Sequence, residues 1–427
     1  MSARLDMHHS MRLPSPRHKR IDHIVVCSHL SACAPDPSTT GWLFSDPDSG
    51  HLPLTAALIP PITIRVLTSF AEVRQAAPQL AAASAGQNMF CTLAWFENLV
   101  EHGFERQARL HLLLGTDNAG KQGLLPLVAG HGLTSLSNYY SSLYGPVLTV
   151  STLPAEFLAQ VSGHIRSDKA NWAFVNLQPL AAESSFASET AASFSAAGYW
   201  TGHYACFGNW YLEVQGRSFA QYYGTLPSKL RHTVARGRAR LTRAGGWSIC
   251  IYPSAEHDLA TGLQSYETVY ASSWKQTEPF PGFIPGLCRM AAAHGWLRLG
   301  ILVFDGQPVA AQLWIVKDGI ASIYKLAYDA RFSRFSPGSV LSAHMMEHSI
   351  DQDRVREVDY LTGDDAYKKD WMSHRRERIG MIAFNPATLR GLVAGAWHFM
   401  KKWIKQLSQR DRLRSPMSQR PMSQHHP

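Results

Sequence analysis

Residues 297–304, 309–317 and 320–328 are three short runs rich in branched and aromatic residues, separated by Asp305-Gly306 and Asp318-Gly319. Asp-Gly between two such runs is a strong hairpin signal, because a tight type I′ turn needs positive φ at both central residues. The stretch therefore predicts an antiparallel three-strand meander. Its last two strands are apolar on both faces, which places them centrally in a sheet covered on both sides.

The surrounding patterns supply the cover. Ser218 can cap a short helix whose Phe219, Tyr222, Tyr223 and Leu226 share one face, and Pro227 restarts a second helix that runs to about Arg243. Gly245-Gly246 stops it before a strand at 247–252, and helices follow at about 256–273 and 284–294. Beyond the meander come a helix at about 337–351, a strand at 355–361, a short helix near 366–371 and a strand at 378–384. That order is α/β with a mixed sheet. Residues 62–214 echo it: a strand at 62–67, helices at about 70–83 and 93–100, strands at 109–114 and 123–128, a helix at 155–165, a strand at 172–177, a helix near 181–197 and a closing strand at 209–214. No literal sequence repeat is present, so the tandem reading rests on element order.

A chain of 427 residues suits two domains of ordinary size. The expected division is a disordered tail at 1–60, rich in Pro, Ser, His and Asp, then domains at 61–216 and 217–386. An amphipathic helix with a basic tail follows at 387–427. No run is long and apolar enough to span a membrane, and residues 1–20 lack a secretory pattern, so a cytoplasmic address is expected. The six cysteines are scattered without CxxC pairing and read as reduced and mostly buried. The 20 histidines show no ligand spacing, and no metal is expected.

The net charge of +9 is unevenly placed. No acid occurs between Glu213 and Glu256, a stretch that holds Arg217, Lys229, Arg231, Arg236, Arg238, Arg240 and Arg243. Such a patch attracts phosphates, nucleic acid or anionic lipid, although a solvated helix face is the commoner reason for one. The helix at 388–407 sets Leu389, Leu392, Val393, Trp397, Met400 and Ile404 against Lys401, Lys402 and Lys405. It fits either packing on the domain or rest on an anionic membrane surface.

Chemistry concentrates in 323–341, where a central strand ends in a loop bearing Arg331 and Arg334 and then Ser336-Pro337-Gly338-Ser339 opens a helix. Proline in the first turn lacks an N–H that would have gone unpaired. The amides of Gly338, Ser339 and Val340 then point out beside the positive end of the helix dipole, an anion-binding arrangement to which both arginines can add charge. A capped helix with two surface arginines fits the spacing equally well. A second cluster, Gly363-Asp364-Asp365-Ala366-Tyr367-Lys368, follows the next strand. Lys325, a cation in an apolar strand beside Tyr324, needs a partner if buried, and Asp359 on the neighbouring strand is the expected one. A structural pair and a catalytic one suit it equally. Gln312 and Trp314 read as sheet filling.

The blocks YKLAYDARFSRFSPGSVL (324–341) and VDYLTGDDAYKKDW (358–371) resemble the GNAT-fold acetyltransferases grouped as FemAB-related or cellulose-biosynthesis (CelD/BcsL-like) proteins. The two blocks match in order and spacing, and the wider element pattern covers roughly 320 residues. The resemblance implies tandem GNAT-like domains with acyl-CoA, such as acetyl-CoA, as co-substrate. Arg331, Arg334, Ser336, Gly338 and Ser339 would hold its pyrophosphate, and its pantetheine would lie between splayed strands at 320–328 and 355–361. It also implies Tyr367 as the acid for the leaving thiolate. Asp364, at the C-terminal end of a central strand where open α/β sheets place ligands, reads as base or amine-binding group, and Lys368 as oxyanion or acidic-substrate contact, against the plainer reading of an N-cap Asp with a helix-facing Tyr. Tyr324, Lys325 and Asp359 would be further substrate contacts. Here Pro337 stands where the family's phosphate loop has its first glycine. That departure leaves two other readings beside N-acylation of a small-molecule or saccharide amine: aminoacyl transfer from charged tRNA, with nucleic acid as partner, or a degenerate pair serving as a binding module in exopolysaccharide synthesis.

Overall fold

The computed structural model describes residues 62–82, 87–104, 108–149, 155–254 and 258–414. The expected tail at 1–60, with Cys27 and Cys33, and the residues after 414 lie outside them. The first half contains β1 (Thr63–Leu67), α1 (Phe70–Ala76), α2 (Pro78–Ala82), α3 (Leu93–His102), β2 (Leu110–Thr116), β3 (Gln122–Ala129), β4 (Leu133–Ser135), β5 (Val147–Leu148), α4 (Ala155–Ser167), β6 (Phe174–Ala181), α5 (Ser185–Ala196) and β7 (Trp200–Glu213). The second contains α6 (Phe219–Thr225), α7 (Ser228–Ala244), β8 (Trp247–Tyr252), α8 (Leu259–Ala271), α9 (Phe283–Ala293), β9 (Leu297–Phe304), β10 (Gln307–Lys317), β11 (Ile320–Tyr328), α10 (Pro337–Glu347), β12 (Glu357–Asp359), β13 (His374–Phe384) and α11 (Leu389–Arg414).

The meander forms as expected. β9, β10 and β11 pair antiparallel, and Asp305, Gly306, Asp318 and Gly319 all take positive φ in the two turns. Ser218 caps α6 in a reciprocal box with Gln221. Three expectations change. The single helix at 70–83 is two, because Pro78 disfavours helical backbone at Ala77, which leaves the helix at φ −145°. The helix at 366–371 shrinks to a 3₁₀ turn at Lys368–Asp370, with Tyr367 just ahead of it. The strand at 355–361 shortens to the three residues of β12.

All strands join one mixed sheet in the order β1-β2-β3-β4-β6-β13-β7-β12-β11-β10-β9-β8, with β5 beside β3. Each half repeats a plan of antiparallel strands followed by a parallel pair, β4 with β6 and β11 with β12. Each half's last strand then crosses to the other half: β7 pairs with β12, β13 pairs with β6, and β7 and β13 pair with each other. Two apolar cores cover the sheet. One joins α1–α5, α8 and α9, and the other is centred on Trp314, Val340, Leu341 and Met345 between α7, α10 and the meander.

Candidate active site

β11 and β12 run parallel for only three positions, Ile320–Glu357, Ala321–Val358 and Ser322–Asp359, and then part. On its other edge β11 carries a bulge: Leu313 faces Lys325 and Trp314 faces Ile323, so Tyr324 has no opposite residue. A bulge bends a strand and re-aims its side chains. The divergence opens a cleft of 220 Å³, walled by Ile323–Leu326 on one side and Tyr360–Thr362 on the other. Asp365, Tyr367, Lys368 and Lys275 also line it, and the first half closes it with Tyr139, Tyr140 and Ser142. Two bonds fix that closing loop: Tyr324 Oη donates to Tyr140 O at 2.8 Å, and the Ser142 and Thr362 hydroxyls meet at 2.7 Å.

The expected residues divide between cleft and scaffold. Tyr324, Lys325, Tyr367 and Lys368 line the cleft; Asp359 and Asp364 do not. Tyr367 sits edge-on to Tyr360, and burial pushes its pKa up to about 12, helped by the charge of Asp365. It keeps its proton throughout the physiological range. Lys325 bonds Glu278, at 2.7 Å, and not Asp359 as expected. Its ammonium also rests over the rings of Tyr139 and Tyr140, at 4.9 and 5.5 Å. Tyr270 Oη donates to the same Glu278 oxygen at 2.7 Å, while Glu278 Oε2 is buried with no donor on it among the described residues. Burial, and after it the Glu278 carboxylate that the Tyr140 hydroxyl faces, raises the Tyr140 pKa, yet the hydroxyl donates to Phe280 O at 3.4 Å.

Asp359 is committed elsewhere. It accepts from Asn209 Nδ2 at 2.6 Å, Leu361 N at 2.7 Å and Arg376 at 2.6 Å, tying β12 to β7 and β13. Asp364 is committed to Arg375 and to Trp210 Nε1, and the arginine first and the indole after it hold its carboxyl below the ordinary range. A carboxylate so stabilised is a poor base. Asp365, one residue on, is the one that faces the cleft. Lys368 is buried, and its ammonium reaches Thr362 O at 2.5 Å, Gly363 O at 3.2 Å and Asp365 at 3.4 Å. Its donors staple the loop at 362–365. Burial lowers its pKa, as it does for Lys275.

The segment expected to hold a phosphate opens α10. Pro337 is its first residue, and Ser336 enters with φ 50° and no side-chain cap. Val340 N–H is bonded to Ser336 O at 3.1 Å, so of the three expected amides only those of Gly338 and Ser339 lack a partner among the described residues. Arg331 grips Asp329 at 2.5 Å, and the Arg334 guanidinium stacks 4.6 Å over the Phe335 ring. Arg240 on α7 donates to Arg334 O at 2.7 Å and brings the basic helix against this turn. Gln312 does more than fill the sheet: it donates to Gly338 O and Ser342 Oγ, at 3.1 and 2.7 Å, and fixes the first turn of α10 to β10. Cys288 is buried and Cys91, Cys206 and Cys250 are half-buried, all four reduced.

Sequence reasoning missed Tyr139, Tyr140, Ser142, Lys275, Glu278 and Asp365. The signal available was Tyr139-Tyr-Ser-Ser-Leu-Tyr144, an aromatic run without strand or helix period.

Residues 228–369 match the family described as acetyltransferase (GNAT) domain, about a third of the chain. No curated protein sequence matches. Among solved structures, FemX is 10% identical, with 77% of this chain and 99% of that one superposed at a TM-score of 0.53. The C-terminal domain of a putative lysylphosphatidylglycerol synthetase from Agrobacterium fabrum is 13% identical, covering 77% of this chain and 96% of its own at a TM-score of 0.46. A tandem GNAT protein from the clavulanic acid biosynthesis pathway is 12% identical, covering 76% and 99% at 0.45. The likeness to FemX is one of fold. The mixed α/β fold and the acetyltransferase-domain match together support an acyltransferase enzyme.

Proposed function

We propose that the protein transfers an acyl group, acetyl in the simplest case, from acyl-CoA to the amino group of a sugar, a polysaccharide precursor or a small metabolite. The observation that carries this reading is the cleft between β11 and β12 with Tyr367 and Asp365 on its wall. A thioester arm threaded between the diverging strands would leave its phosphates toward the α10 end, where the helix dipole and the Gly338 and Ser339 amides favour an anion. In the transfer, the amine nitrogen bonds to the acyl carbon and the carbon–sulfur bond breaks. The ammonium first releases one proton to solvent to free the attacking lone pair; as the thiolate leaves, Tyr367 Oη protonates the sulfur, and the second proton of the amine nitrogen then restores the tyrosine hydroxyl. Asp365 draws in the substrate ammonium. Lys368 holds the 362–365 loop that presents Asp365, and the Lys325–Glu278 pair fixes the opposite wall.

The test is thiol release from acetyl-CoA against a panel of amines, paired with thermal melting. Acetyl-CoA should raise the melting temperature, since a ligand that binds only the folded state stabilises it. Gly338→Asp should remove the shift. Tyr367→Phe should keep the shift and lower kcat by roughly a hundredfold or more, the scale of a lost general acid. No shift at millimolar acetyl-CoA would overturn the reading.

The exposed cations of α7 favour one second reading, an aminoacyl donor carried on tRNA. Lys229, Arg231, Arg236, Arg240 and Arg243 are all exposed, and α7 abuts the turn before α10. Phosphate backbones reward such a stripe with salt-sensitive binding, so transfer from charged tRNA with no turnover of acetyl-CoA would favour it.

A further inference from the structure

No helix among the described residues is long and apolar enough to cross a membrane, but α11 presents an apolar face to solvent. Its inner face is fixed. Gly391 lies so close to the carbonyls of Asn385 and Ala173 that no side chain fits there, and Gly395 passes over Trp200 and Phe384. His398 and Phe399 complete the seat against the Phe384 ring. The opposite face, at helical spacing, is Leu389, Val393, Trp397, Met400, Trp403 and Ile404, and each of these large side chains is exposed. Trp397 is 55% exposed and Trp403 62%. A soluble helix normally turns such a stripe inward. Here glycines face the domain and tryptophans face away, so the stripe does not serve the domain's own core.

Charge selects the occupant. Lys401 and Lys402 are exposed beside the stripe, with the Lys401 ammonium 4.6 Å over the Trp397 ring. From Leu389 to Arg414 the helix sequence holds seven Lys and Arg and one acid, Asp411. An apolar stripe with tryptophans, flanked by cations on a helix that follows β13, matches the interface between lipid headgroups and acyl chains. We propose that α11 lies in the surface of an anionic lipid bilayer through Trp397, Trp403 and their apolar neighbours, and holds the enzyme there. The proposal is independent of the acyl donor and acceptor.

The test is co-sedimentation of the full chain with vesicles of phosphatidylcholine alone and with about one third phosphatidylglycerol, alongside sedimentation equilibrium without lipid. Binding should be roughly tenfold or more stronger to the anionic vesicles and weaken in high salt, as expected for two lysines near a charged surface. Trp397→Ser with Trp403→Ser should abolish binding with an unchanged melting temperature, because both side chains are more than half exposed. Lys401→Glu with Lys402→Glu should remove the preference for anionic vesicles and serves if the first pair misfolds. Failure to sediment with either vesicle would overturn the proposal. So would a dimer in the lipid-free protein that the tryptophan pair dissolves, since the stripe would then be covered by a second copy.

Discussion

At the level of single residues, the candidate site turns on the difference between adjacent positions. Asp364 and Asp365 are indistinguishable in the sequence, yet one is held by Arg375 and Trp210 and the other lines the cleft. Which carboxylate turns inward depends on the loop at 362–365, and that loop is set by Lys368, whose staple was not legible from spacing. Buried and half-buried histidines give a sharper expectation. His111, His344, His348 and His398 all have pKa values lowered, first by burial. The unfolded chain therefore takes up these protons first as pH falls, so stability is at its full value above the ordinary histidine range and declines below about pH 6.5. His111 is the clearest contributor. Its Nε2 is buried without a partner among the described residues, beside the Trp172 ring, and the nearby Asp168 offsets only part of the cost of charging it. His111→Phe keeps an aromatic ring against Trp172 and should flatten the slope of unfolding free energy between about pH 6.5 and 5. A slope equal to that of the parent protein, measured by urea denaturation, would refute the assignment.

Among the elements, those legible in advance carried their own punctuation. The two Asp-Gly turns, the Ser218 cap and the Pro337 helix start stand where the sequence placed them, because turn and cap chemistry is local. β4, β5 and the splay of β12 were not legible, since a two- or three-residue strand exists only through the partner that pairs with it. The bulge at Tyr324 is likewise a property of two strands and not of one. Close approach between elements is also invisible to periodicity. Gly237 lets α7 lie against the turn before α10: a Cβ there would stand 2.6 Å from Phe335 O and 2.8 Å from Val340 Cγ2. Both neighbours belong to the segment that presents the α10 N-terminus. Gly237→Leu should therefore cost about 1–3 kcal/mol, as overpacking does, and should also reduce the melting shift given by acetyl-CoA. Loss of stability with the full shift retained would mean that α7 supports the fold without shaping the phosphate end.

For the molecule as a whole, the repeated element order was readable but the exchange between the halves was not, because strand order in a sheet leaves no trace in the hydrophobic pattern of either strand. β7 closes the first half in sequence yet pairs with β12 of the second, and β13 ends the second yet pairs with β6 of the first. Between them β7 and β13 pair from His374–Tyr211 to Phe384–Trp200. The polar cluster of Asn209, Asp359, Arg376 and Glu357 binds the crossing together, and Arg376 reaches both acids at 2.6 Å. A fragment of residues 217–385 would keep β13 without either of its neighbours and would leave β12 with an open edge. A fragment of residues 62–216 would carry β6 and β7 with the strand between them missing. Open apolar edges of that length are templates for aggregation, and buried charges stripped of their partners add to the cost. Each fragment expressed alone should be insoluble or melt without cooperativity, and co-expression should return a one-to-one complex with a single transition and the activity of the intact chain. A 217–385 fragment that is soluble, melts cooperatively and binds acetyl-CoA would show that the second half is a self-sufficient enzyme. The Tyr139–Ser142 loop would then be dispensable to the cleft it covers.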